Sequence, residues 1–182
     1  GLDFQKSMKS KYPSESRCIK TEFVLPNDTN HVANLFGGKL MQWVDITAAI
    51  SAQRHSGRVV VTASINHVSF EHPIRQNSIV TLEAKVSRAF NSSMEVIVDV
   101  WVEHPSSGEK TKCNEAILTF VAVDQNGSPL PVPEIVPETE LETKRFEAAL
   151  RRRQLSLLLA GRIQPEEATE LRALFDSAKS GR

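Results

Sequence analysis

Long apolar runs are absent from these 182 residues: the densest, Val59-Val60-Val61 and Leu157-Leu158-Leu159, fall far short of the ~20 residues that a membrane-spanning helix needs. The sequence therefore predicts no membrane span. Net charge is absent too, with 22 Lys+Arg against 22 Asp+Glu, so no whole-molecule field draws the chain to nucleic acid or anionic lipid. Cysteine is scarce: Cys18 and Cys113 stand far apart without C-x-x-C spacing or a histidine cluster, which argues against a disulfide scaffold and a structural zinc site. Two free buried thiols in a reducing compartment are expected, and no metal. The five histidines (His31, His55, His67, His72, His104) have no ligand spacing, and G-x-S-x-G, H-E-x-x-H, P-loop and dinucleotide fingerprints are missing. Serine-hydrolase and zinc-hydrolase chemistry fall away.

What is present, 40% hydrophobic, 24% charged and 6% aromatic residues, is the composition of one domain with appendages. Residues 1–16, rich in Lys and Ser without hydrophobic period, read as a mobile arm. Residues 17–137 read as the main domain and 138–182 as a helical extension. Ile19, Thr21, Phe23 and Leu25 alternate as in a strand, and the turn formers from Pro26 to Asn30 lead through Asn34-Leu-Phe-Gly-Gly38 into a helix over Gly38 to Arg54 that is apolar on most of its circumference. Such a helix must be surrounded. Four strands are predicted next, over Val59–Phe70, Ile79–Ala89, Ser93–Val102 and Lys110–Val123, with connections of hairpin length. The pattern is an α+β domain, an antiparallel sheet curled around one helix. Pro129 to Pro137 is too proline-rich for regular structure and reads as a stiff connector. Thr139 with Glu142 resembles a capping box that opens a helix running to about Ala160 before Gly161, and Pro165 to Ser180 is a last helical stretch.

Chemistry concentrates between Asn34 and Asp45. Gly37-Gly38 at a helix start lets unpaired N–H groups approach a ligand where the helix dipole favours negative charge, a potential oxyanion site at Gly38. Asn34 could add an amide donor or orient a water; equally, Asn34 could close a turn that Gly-Gly permits. Asp45, flanked by Val44 and Ile46, is either a catalytic base or a buried carboxylate bonded to a neighbour such as Thr47. Gly38 and Asp45 share a helix face but lie about 10 Å apart along the axis, whereas a general base must come within about 3 Å of its target or act through one water. One helix cannot easily supply both groups to one carbonyl. Two antiparallel copies across a two-fold axis could, which predicts a dimer with shared sites. The basic run Lys144-Arg145 and Arg151 to Arg153 is either a solvated face or a phosphate-binding one; an RNA role lacks stacking aromatics nearby.

Asn34-Leu-Phe-Gly-Gly-Lys-Leu-Met-Gln-Trp-Val-Asp45, read with Val61-Thr-Ala-Ser-Ile65 and Arg88-Ala-Phe-Asn-Ser-Ser-Met-Glu95, resembles the acyl-CoA thioesterase hotdog family, closest to its cytosolic and brown-fat-type members, over about Glu22 to Leu155. Pro131 to Glu140 also resembles the segment that follows the hotdog in these enzymes. The resemblance implies a hotdog fold, hydrolysis of fatty acyl-CoA to free fatty acid and CoA, and a homo-oligomer, dimeric with a continuous sheet and commonly hexameric as three pairs. It implies Asn34 and Asp45 as the active-site pair contributed by opposite subunits, with CoA touching Ala63, Ser64 and Ile65, then Ser92, Ser93 and Met94, and Arg153 from the basic helix. No cofactor is implied, since CoA is part of substrate and product. A thioester carbonyl polarised at the Gly38 N–H could be attacked by water activated at Asp45, or by Asp45 itself through an anhydride. The acyl chain would run near Trp43. The tandem family members pair two different hotdogs, whereas one hotdog here must pair with a second chain. Two other readings stay open: an acyl-thioester hydratase or dehydratase, for which His31 is the only histidine near the loop, and a non-catalytic acyl-CoA-binding module. The chain begins Gly1-Leu2 without an initiator methionine, so any removed targeting peptide would be invisible; the cytoplasm is the default compartment, and the mitochondrion follows if such a peptide was lost.

Overall fold

Period-two alternation and a single long helical stretch build an antiparallel sheet packed on one helix. A computed structural model describes residues 8–68, 72–171, 173 and 176. The strands are β1 (Cys18–Phe23), β2 (Val59–Val68), β3 (Ile79–Ala89), β4 (Ser93–Glu103) and β5 (Lys110–Val123), arranged β1-β3-β4-β5-β2 with every neighbouring pair antiparallel. The helix α1 spans Gly37–Ser56 and stops at Gly57, whose left-handed φ of 64° lets its N–H bond back to the Gln53 carbonyl. The expected hotdog arrangement is the one observed, and β3, β4 and β5 start and end within one residue of their expected bounds. Residues 69–71, which include the expected end of β2, lie outside the described residues.

The inward sheet face is a continuous apolar surface. Val80, Leu82, Ala84 and Val86 of β3, Met94, Val96, Val98 and Val100 of β4, and Ala116, Leu118, Phe120 and Ala122 of β5 are all buried. Against them α1 sets a stripe of Leu40, Trp43, Val44, Thr47, Ala48, Ser51, Ala52 and His55, spaced three and four apart. Only that stripe is covered within one chain. Ile46 and Ile50 on the opposite side are 41% and 38% exposed, so the helix expected to be surrounded is half wrapped by its own sheet.

Residues 8–16 depart from the expected mobile arm, whose residues 1–7 lie outside the described residues. Lys11 exchanges backbone bonds with the extended stretch at Glu134 and Val136, Pro13–Ser16 form a 3₁₀ turn with Pro13 and Ser16 buried, and the Ser16 hydroxyl accepts from Val86 N–H at 2.9 Å. A hydroxyl that satisfies a strand N–H binds this segment to β3 without any hydrophobic period to announce it. The Pro-rich stretch is irregular as expected, yet Val132, Pro133 and Ile135 are buried, so it is a packed strap. The chain divides into two compact units, residues 1–136 and 137–182. In the second, α2 (Glu140–Leu159) opens on a capping box between Thr139 and Glu142 and is followed by Gly161 at φ 71°. The last stretch begins as a 3₁₀ turn, Pro165–Glu167; beyond residue 171 the expected helix lies largely outside the described residues.

Candidate active site

Short-range polar bonds shape the loop that enters α1. The Asn30 side-chain oxygen accepts from the N–H groups of Val32 and Asn34, both at 3.1 Å, while the Asn30 N–H donates to the Asn34 carbonyl at 2.8 Å. Leu35 N–H donates to the Ile74 carbonyl at 2.6 Å, and Gln76 N–H to the Ala33 carbonyl at 2.9 Å, so the loop is fastened to the segment before β3. The N-cap residue Phe36 makes no side-chain capping bond to α1. Its leading N–H groups at Gly37 and Gly38 precede the first helical bonds, which begin with Lys39 and Leu40 donating to Phe36. Gly38 is exposed, and a Cβ placed there would meet nothing within 4 Å; packing inside one chain does not require this glycine.

Beside the helix start lies a cavity of about 260 Å³ lined by Asn30, Asn34, Gly37, Leu40, Ile74 and Asn114 among others. The side-chain oxygen of Asn34 is buried there without a hydrogen-bond partner among the described residues. An orphaned acceptor at a helix N-terminus is suited to hold a water or the N–H of a ligand. Asn34 and Gly37 at the helix start thus line one cavity.

Asp45 is not among the residues that line this cavity. It is half-buried two turns along α1, and its Oδ1 accepts from the Thr62 hydroxyl of β2 at 2.9 Å. Thr47, the neighbour considered as its partner, instead donates to the Trp43 carbonyl at 2.7 Å. Thr62 was not singled out from sequence. The available signal was its register: Thr62 lies opposite Phe120, an inward position of β5, which turns it toward α1.

The expected CoA contacts fall into three groups. Ala63, Ser64 and Ile65 are exposed on β2 between two register shifts, and Ser64 donates to Asn66, which donates to Thr119. Ser92 is half-buried with its carbonyl accepting from Ala122, whereas Ser93 is 6% exposed and Met94 fully buried, so Met94 offers a ligand no surface in this chain. Arg153 belongs to the second unit, on α2, where burial and the like charge of Arg162 push its guanidinium pKa below the ordinary value. His31 is exposed, and the side chain of His67 lies outside the described residues. Cys18 and Cys113 form no disulfide among the described residues, Cys18 buried and Cys113 only half-buried; burial pushes the Cys113 thiol up. Among the described residues no three His, Cys, Asp or Glu side chains group to hold a metal, and no helix is long and apolar enough to cross a membrane.

Comparison with known proteins shows the family and the fold. The thioesterase superfamily model matches residues 33–109. An uncharacterised acyl-CoA thioester hydrolase of Bacillus subtilis is 47% identical over 79% of this chain and 84% of its own length. Mouse acyl-coenzyme A thioesterase 11 is 38% identical over 84% of this chain, which spans only 26% of that longer protein. Among solved structures, an apo hexameric acyl-CoA thioesterase superimposes with a TM-score of 0.80 at 40% identity, over 84% of this chain and 98% of that one. The Staphylococcus aureus acyl-CoA hydrolase in complex with butyryl-CoA, CoA and CoA disulfide does so with 0.78 at 39% identity, over 91% and 99%. That enzyme has also been solved with an aspartate, a threonine or an asparagine replaced by alanine. The chain belongs to the hotdog-fold acyl-CoA thioesterases of the thioesterase superfamily.

Proposed function

We propose that the protein hydrolyses fatty acyl-CoA to free fatty acid and CoA at sites built by two subunits. The observation that carries this reading is the separation, on one helix, of the orphaned Asn34 oxygen at the N-terminus and the Asp45–Thr62 pair two turns later. A second copy packed antiparallel brings one subunit's Asp45 to the other's Asn34 and Gly38. The open edge of β2, which among the described residues pairs only with β5, and the exposed Ile46 and Ile50 supply the surface for that packing. The hexameric relatives suggest three such pairs.

In the S. aureus enzyme the replaced asparagine lies 15 residues before the replaced aspartate, and the threonine 17 after it. The same intervals from Asp45 reach Asn30 and Thr62. This supports Thr62 as the group that orients Asp45. It also supports Asn30 as a member of the site, where its carboxamide braces Asn34.

In the proposed reaction Asp45 takes a proton from a water held near Asn34 as the water oxygen bonds to the thioester carbon. The Gly38 N–H and the helix dipole receive the charge that develops on the carbonyl oxygen. Collapse breaks the C–S bond, and the proton held by Asp45 leaves with the CoA sulfur. Ala63 to Ile65 and Ser92 flank the CoA arm; Arg153, in the second unit, carries a guanidinium of the kind that pairs well with phosphate. No bound cofactor is needed. Mammalian relatives are named cytosolic, which favours the cytoplasm.

Free-CoA release followed with a thiol reagent, on acyl-CoAs of graded chain length, tests the reading. Chain-length-dependent turnover is expected for the wild type, and Asp45→Ala should lower it by about 10² to 10⁴-fold in a folded oligomer. Retained turnover in that variant would remove Asp45 from the mechanism; tight acyl-CoA binding with no release would make the protein a binding module.

A further inference from the structure

The inward row of β5 runs Asn114, Ala116, Leu118, Phe120 and Ala122, and one member is polar. Asn114 is 5% exposed and faces Val100 of β4, itself in the core. A carboxamide in an apolar row is costly unless it is bonded, so its position calls for a reason. The backbone makes room for it: the register between β4 and β5 shifts next to Asn114, leaving Cys113 as the extra residue, and such bulges re-aim side chains beside functional sites.

One bond of Asn114 leads toward the loop that enters α1. Its Nδ2 donates to the His72 carbonyl at 3.4 Å and to the Cys113 sulfur at 3.3 Å. His72 opens the stretch before β3 whose Ile74 carbonyl receives Leu35 N–H, whose Gln76 N–H donates to Ala33, and whose Arg75 bridges Asn34. Asn114 thus holds one side of a short segment whose other side holds Asn34. All three elements converge on the cavity of about 260 Å³, which Asn114 lines together with Asn34 and Gly37.

We propose that Asn114 is a positioning residue: its amide ties residues 72–76 to β5 and so fixes Asn34 against the helix N-terminus. The catalytic part of this proposal rests on the thioesterase reading; the tether itself does not.

Two substitutions separate the tether from packing. Asn114→Leu keeps the volume in an apolar row and removes the donor, and Asn114→Asp keeps the shape and replaces the donor by an acceptor. Both are expected to assemble like the wild type, with kcat for acyl-CoA at least tenfold lower and KM changed less than threefold. Amide exchange at Leu35 and Gln76 should accelerate at least tenfold while the rest of β5 keeps its protection. Wild-type kcat with unchanged exchange at Leu35 in Asn114→Leu would overturn the proposal, as would a loss of activity that merely tracks loss of folded protein. If neither variant folds, Asn114→Ser, whose hydroxyl is too short to reach His72, gives the same readouts. A wild type that releases no CoA defeats the thioesterase reading, and the exchange rates then decide the tether alone.

Discussion

At Gly38 the demands of stability and of function pull apart. Alanine is favoured over glycine within a helix by up to about 1 kcal/mol, and a Cβ at Gly38 meets nothing in the chain. Gly38→Ala should therefore melt at or above the wild-type temperature. If the thioester oxygen approaches the Gly38 N–H closely, the added methyl nevertheless lowers kcat/KM about tenfold or more. A variant that is both stable and fully active would show that no ligand comes near this backbone. His55 poses a different residue-scale problem. It is fully buried, its Nε2 donates to the Pro133 carbonyl at 2.7 Å, and its Nδ1 has no partner among the described residues. A proton on Nδ1 would create a buried donor without an acceptor. Burial accordingly lowers the His55 pKa, assisted by Lys11 and opposed by the bond to Pro133 and by Glu15. With the folded pKa below the unfolded value of 6.5, the unfolded chain binds the extra proton. The stability His55 provides is then complete above pH 6.5 and is lost as pH falls from there toward the folded pKa. His55→Gln keeps an N–H for Pro133 and cannot titrate, so its melting temperature should fall less than that of the wild type between pH 7.5 and 5.

Helix α2 can be tested at the scale of an element. Thr139 accepts from Glu142 N–H at 3.1 Å, and the Glu142 carboxylate accepts from the N–H groups of Glu138 and Thr139 at 3.0 and 3.4 Å. Thr139→Ala should cost about 1 kcal/mol, seen in thermal circular dichroism as earlier loss of helix with CoA release from the hotdog unchanged at 25 °C. This cap was legible because a capping box is local, two side chains three residues apart. The strands were legible for the same reason: alternation and turn formers such as Asn91 and Gly108 sit next to one another in sequence. What stayed hidden depends on contacts across elements. Thr62 bonds Asp45 over 17 residues, Ser16 bonds Val86 over 70, and His55 bonds Pro133 over 78, none with a periodic signature. The buried strap at Val132 to Ile135 was hidden because proline suppresses regular structure without preventing burial. Asn34, Gly38 and Asp45 stood out from composition, an amide and a glycine pair at a helix start and a lone carboxylate within the helix, whereas Asn114 lay unmarked inside a strand.

The whole molecule must resolve a distance that one chain leaves open. Seven residues separate Gly38 from Asp45, about 10 Å of helix, so a site completed within one chain and a site shared by two chains make opposite forecasts for mixed oligomers. Asn34→Ala and Asp45→Ala should each be inactive alone. When the two are unfolded together in equal amounts and refolded, random pairing makes half of the dimers mixed. In a mixed dimer with shared sites, one site collects both lesions and the other collects both intact residues, so about a quarter of wild-type turnover should return. Sites closed within single chains would regain nothing, because every chain still carries a lesion. The open β2 edge supplies the control. Val61 is 48% exposed there, and charge on an edge opposes strand pairing. Val61→Lys in both variants should shift sedimentation toward the monomer and abolish the recovered quarter, which ties the restored chemistry to the contact between subunits.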